Sequence, residues 1–171
     1  MQELEKHIKG DWIKSLDSDS NNIKWIPLFT VEFDENYKRT FGLTYNGNWM
    51  NQIIQSGKET IAVVKNKKEF IKIIAVLEIE RSVIEKKLLE GLKINTDTKY
   101  NIHIFPFTNL IKYALQDGPI YWVKHAISWL KPDEFDQELY TISNRIISEK
   151  KLDQGARHDL FKLVKAFEKS R

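Results

Sequence analysis

Residues 66–92 read NKKEFIKIIAVLEIERSVIEKKLLEGL, and how they fold decides how large the sheet of this protein is. Phe70, Ile74, Leu77, Ile84 and Leu88 fit one face of a helix, interrupted by Arg81, and Gly91 is placed to stop it. This spacing predicts a helix over 67–90. The core of the stretch, FIKIIAVLEI, is apolar enough to be a buried strand instead, because periodicity cannot separate the two states in such a run. As a strand it would add a fifth member to the sheet.

Strand signals lie on either side. KWIPLFTVEF (24–33) is rich in aromatic and β-branched residues. Pro27 cannot donate to a ladder, so that strand has an edge or a bulge there. DENYKR forms a loop to a second strand, TFGLTY (40–45), which completes a hairpin. Asn46-Gly47-Asn48 is turn chemistry, and Asn48 can cap a short helix through Trp49, Ile53 and Ile54. ETIAVVK (59–65) reads as a third strand and KYNIHIFPF (99–107) as a fourth. At the start of the sequence, Leu4, Ile8, Trp12 and Leu16 recur every four residues, the stripe of a helix that ends at the polar run 17–22.

Beyond residue 107 the pattern is helical, with elements expected at 108–116, 119–130, 134–148 and 153–169. Phe135, Leu139, Ile142 and Ile146 mark the third; Ala156, Leu160, Val164 and Phe167 line the fourth, whose N-cap is Asp153. The expected fold is α+β. An N-terminal helix and a small, mostly antiparallel sheet form a mixed lobe (1–107) that packs on a helical lobe (108–171), the whole being a single domain of 171 residues.

With 42% hydrophobic and 30% charged residues, the composition is that of a soluble globular protein. The absence of cysteine excludes disulfides, Cys-ligated zinc, iron–sulfur clusters and thiol catalysis. MQELEKHIKGDW lacks the apolar run of a signal peptide, and no stretch reaches the roughly 18 apolar residues that cross a membrane. The reading is cytoplasmic, with no membrane partner. A formal charge of +3, dispersed along the sequence, is less concentrated than is usual for a dedicated nucleic-acid binder and says little about partners.

GPIYWVKHAISWLKP (118–132) carries two tryptophans, a tyrosine and a histidine between two prolines. On a helical wheel Val123, Ala126, Ile127 and Leu130 form one apolar stripe, and Trp122, Ala126 and Trp129 a second. A helix apolar round most of its circumference reads as a central one. His125 then sits in a column with Tyr121 and Trp129, packed at the border of the core rather than acting as a base, since no carboxylate pattern accompanies it.

Arg157-His158-Asp159 contains catalytic residue types, but successive helical residues point about 100° apart and cannot converge on one atom. Arg157 is instead expected to reach a carboxylate of the acidic run Asp133, Glu134, Asp136 and Glu138. No phosphate-binding loop, dinucleotide fingerprint, nucleophile elbow or metal spacing is present, so no catalytic set and no cofactor are expected.

The helical half, YALQDGPIYWVKHAISWL with the later DQGARHDLFKLVKAFEK, resembles the C-terminal part of small bacterial immunity proteins of polymorphic and contact-dependent growth-inhibition toxin systems. Tyr121-Trp122 and Trp129-Leu130 on one helix, and Arg157-His158 opening the last, carry the resemblance. It implies a non-enzymatic cytoplasmic protein that binds one cognate toxin domain. Asp133, Glu134, Asp136, Arg157 and His158 are the candidate partner-binding residues. The alternative is a nucleic-acid binder using the basic face Lys162, Lys165, Lys169 and Arg171.

Overall fold

The computed structural model describes residues 7–97 and 104–170. The protein divides into two compact units, Met1–Phe105 and Pro106–Arg171. The fold is α+β.

The first unit is a five-stranded antiparallel meander in the order β1-β2-β3-β4-β5: Ile13–Leu16, Asn22–Asp34, Tyr37–Thr44, Trp49–Gln55 and Lys58–Val63. The sheet curls. The turn after β1 reaches β5, where the Ser18 N–H donates to the Ile61 carbonyl at 2.7 Å. Inside the curl Trp25 packs on Met50, Ile61 and Val63. The β4–β5 turn places Ser56 and Gly57 at φ 49° and 76°, the pair of positive angles that a tight two-residue hairpin requires.

Several expectations from sequence are corrected. The Leu4-Ile8-Trp12-Leu16 stripe is not a helix over its described part. Ile13 to Leu16 pair with Trp25 to Asn22 as β1, and Ile8 bridges to Thr96. A four-residue apolar recurrence also fits two short extended pieces, and the ladder to β2 offers the backbone partners that a helix would have supplied. Asn48 caps no helix. Residues 49–55 form β4, hydrogen-bonded on both sides, from Leu43↔Trp49 in β3 to Gln55↔Lys58 in β5. Neighbouring strands override a short local preference. Most of the strand expected at 99–107 lies outside the described residues, and Phe107 already begins a helix. Pro27 does mark a bulge: the β2–β3 register shifts between Pro27 and Phe29.

Residues 66–92 resolve as neither one helix nor a strand. Two short 3-10 segments, Lys67–Lys72 and Ile74–Glu78, precede the helix α1, Arg81–Asn95. Their backbone is satisfied by local i→i+3 bonds such as Ile73 N–H to Phe70 O at 3.0 Å. The sheet pins the stretch from below: Asn51 Nδ2 and Arg39 Nη1 both donate to the Lys72 carbonyl, at 2.7 and 3.3 Å. Phe70 and residues 73–77 are buried.

Gly91 does not stop α1; it lies inside it. A Cβ there would fall 1.7 Å from the Leu28 carbonyl oxygen, so glycine is what lets the helix lie directly on β2. One turn later Asn95 donates to the Pro27 carbonyl at 3.2 Å, satisfying a group at the bulge.

The second unit contains four helices: α2 Phe107–Asp117, α3 Ile120–Trp129, α4 Gln137–Glu149 and α5 Gln154–Lys169. Asp136 caps α4 and Asp153 caps α5, each accepting a backbone N–H at 2.9 Å. α2 packs on α3 and α4 on α5, with α2 also meeting α4 and α3 meeting α5. The interior is built from Leu110, Ile111, Ala114, Ala126, Trp129, Leu139 and Leu160. The helix over GPIYWVKHAISWLKP is not wrapped on all sides. Val123, Ala126, Ile127 and Trp129 are buried, but Tyr121 is 51% and Ile120 45% exposed. A ten-residue helix in a four-helix unit keeps one face in water, whatever its mean hydropathy.

Candidate functional site

The exposed face of α3 presents a small aromatic cluster. The Tyr121 ring lies 4.8 Å from Trp122 and 4.7 Å from His125, both edge-on. His125 is half-buried, at the border of the unit. On the same helix Lys124 reaches out to the cap of α5, its Nζ 2.6 Å from Asp153 Oδ2. That pair and the Ala156 N–H hold the Asp153 carboxyl below the ordinary aspartate range, the lysine contact contributing most.

Beyond Asp153, the first turns of α5 and the end of α4 enclose an open groove of about 590 Å³. Ile147, Gln154, Gly155, Arg157, His158 and Phe161 line it. Phe161 is 44% exposed and lies off the buried stripe of α5. Arg157 is half-buried and His158 exposed. The groove therefore combines a guanidinium, an imidazole and two apolar side chains, with His158 and Phe161 exposed and Arg157 and Ile147 half-buried.

The five residues singled out from sequence do not form one site. Arg157 and His158 share the groove. Asp133 and Glu134 lie on the 3-10 turn Pro132–Glu134. Asp136 and Glu138 converge on Lys112, each with an oxygen 2.6 Å from its Nζ. Burial disfavours the charged form of Asp136. The Leu139 N–H and Lys112 outweigh that cost and hold its carboxyl low. Arg157 does not reach the acidic run. Phe135, within that run, packs against Phe167 at 5.5 Å, ten residues along α5 from Arg157. At 1.5 Å per residue that is a separation of roughly 15 Å.

Ile147 and Phe161 were missed in the sequence. The available signal was Phe161, a large apolar residue outside the Ala156-Leu160-Val164-Phe167 stripe of an amphipathic helix.

Two lysines of the basic face of α5 have acidic partners within the helix. Lys162 pairs with Asp159 at 3.4 Å and Lys165 with Glu168 at 2.6 Å, the latter pair raising the lysine pKa above its usual value. Among the described residues, no group of three or more His, Asp or Glu side chains is arranged to hold a metal ion. No helix among them is long and apolar enough to cross a membrane.

No family model, curated protein or solved structure matches this sequence.

Proposed function

We propose that this protein is a protein-binding module, most concretely an immunity protein that binds and neutralises a cognate bacterial toxin domain in the cytoplasm. One observation carries the binding reading: the open groove between α4 and α5, where Arg157, His158, Ile147 and Phe161 stand together. Arginine and aromatic side chains are the residues enriched at the centres of protein interfaces, where they supply most of the affinity. The Tyr121 cluster on α3, joined to the start of α5 by the Lys124–Asp153 pair, extends the same kind of surface. The toxin assignment rests on the sequence resemblance. Of its residues, Trp129 and Leu130 are core, while Tyr121 and His158 are exposed and Arg157 is half-buried at the groove.

Co-expression with the product of the adjacent gene tests the function. The expected result is that this protein abolishes that product's toxicity and co-purifies with it. An adjacent gene that is toxic and stays fully toxic in its presence overturns the toxin-neutralising reading. Duplex and single-stranded nucleic acid at low salt are the control, and no mobility shift is expected, because Lys162 and Lys165 of α5 already have internal partners.

A further inference from the structure

We infer that the α4–α5 groove is built to receive a carboxylate flanked by an apolar side chain: an Asp, a Glu or a C-terminal carboxylate on the surface of a protein partner. This inference rests on the binding reading above and specifies the chemistry of the partner's anchor.

Charge complementarity points to the anchor. In the helical unit Lys112 is committed to Asp136 and Glu138, Lys124 to Asp153, Lys151 to Glu149, Lys162 to Asp159 and Lys165 to Glu168, while Arg145, Lys150 and Lys169 make no ion pair among the described residues but are exposed. Arg157 makes no ion pair among the described residues, although it is half-buried: Asp153, one turn before it, is held by Lys124, and Asp159, two residues on, points to another side of the helix. A partly desolvated guanidinium without a counter-ion is a standing electrostatic cost that a bound anion relieves. Its planar fork matches the two oxygens of a carboxylate.

The apolar half of the ligand follows from the walls. Ile147 and Phe161 line the same groove as Arg157, and His158 adds a second donor for the anion. A free inorganic anion would use the guanidinium and leave Ile147 and Phe161 uncovered by ligand, although Lys165 Nζ lies over the Phe161 ring, 5.4 Å from its centroid. A peptide segment carrying Glu beside Leu or Phe would cover both. Gly155 leaves the mouth unobstructed: a Cβ there would meet only Asp153 Oδ1, at 3.5 Å.

The test is an NMR titration of the full-length protein, following backbone amides and the Arg157 Nε–H group, with two probes, acetyl-Leu-Glu-Phe-amide and acetyl-Leu-Gln-Phe-amide. The expected result is saturable, millimolar binding of the Glu peptide, with shifts at Gly155, Arg157, His158 and Phe161. Losing one charge-assisted contact should weaken the Gln peptide about tenfold. R157A should abolish the difference between the peptides, R157K should restore part of it, and G155L should block both. Sodium acetate alone serves as the anion-only control and should bind more weakly than the Glu peptide. Equal binding of the two peptides, acetate binding as tightly as the Glu peptide, or no shift at the groove each overturns the inference. The amide spectrum of each variant shows whether it is folded. These outcomes are separate from the co-expression result, since the peptides contain no toxin: neutralisation can fail while the groove selects carboxylates, and the reverse.

Discussion

The sheet unit and the α4–α5 end of the helical unit use their polar side chains in opposite ways. In the sheet unit they close the fold. Asp17 is buried and accepts from the Asp19 and Asn21 N–H groups at 3.0 and 2.8 Å. Asn95 bonds the bulge carbonyl of Pro27, and Asn51 and Arg39 hold the 3-10 stretch through the Lys72 carbonyl. In the first turns of α5 two polar side chains are left over. Arg157 makes no ion pair among the described residues, His158 is exposed, and both share a groove with the apolar Ile147 and Phe161. Polar groups that complete the architecture are poor candidates for recognition, because moving them costs stability. Those the architecture leaves unused are the ones open to a partner.

The sharpest way to break this contrast is to compare the two faces of α3. Trp129 is buried against Phe107, with the rings 5.8 Å apart. Trp129→Ala should cost about 3–5 kcal/mol in urea denaturation, the usual range for a buried aromatic. A loss below about 1 kcal/mol would mean that this face is no core.

Next in size is Gly91→Ala. The added Cβ collides with backbone at Leu28, and the helix must lift from β2. A loss of about 2–3 kcal/mol is expected, after the roughly 1 kcal/mol that alanine regains over glycine inside a helix. Unchanged stability would show that α1 can shift freely over the sheet.

Asp17 tests the polar half of the comparison through pH. The Asn21 N–H is the largest of the contacts that hold its folded-state pKa below the ordinary value. A depressed carboxylate contributes stability that is present above its unfolded pKa and lost as pH falls through the folded one. Asp17→Asn should therefore lower Tm at neutral pH, and the gap from wild type should close as pH is lowered through the carboxylate range. A gap independent of pH would mean that the charge has no part in holding the β1–β2 turn.

The smallest effects belong to the exposed surface. Tyr121→Ala should change stability by no more than about 0.5 kcal/mol. His125→Ala, whose ring packs on its helix neighbours Tyr121 and Trp122, should change it by about 1 kcal/mol or less. The sequence pattern placed His125 in a tighter environment than the fold provides. If either substitution weakens capture of a partner while leaving the unfolding curve in place, the aromatic cluster belongs to the interface. A loss of stability as large as that of Trp129→Ala would return it to the core.

What the sequence determined by itself is the class of the fold, the hairpin around residues 24–45, and the four helices after residue 107, the last with its cap at Asp153. These follow from local physics: β-branched and aromatic runs between turn residues, apolar periodicity, and a short acidic side chain that satisfies a free N–H group at a helix start. Composition alone also excluded any disulfide or thiol site. Only the tertiary structure decided the rest. Whether residues 13–16 and 49–55 were strand or helix depended on the strands that pair with them. Residues 67–78 form 3-10 segments whose Lys72 carbonyl is taken up by side chains of β3 and β4, partners that no local pattern reveals. Gly91 reads as a stop signal in the sequence and is a contact surface in the fold, since its partner, Leu28, is remote along the backbone. The groove could not be read for the same reason: Ile147 and Phe161 lie on different helices, and Arg157 is left without Asp153, one turn before it, only once that carboxylate has found Lys124 on another helix.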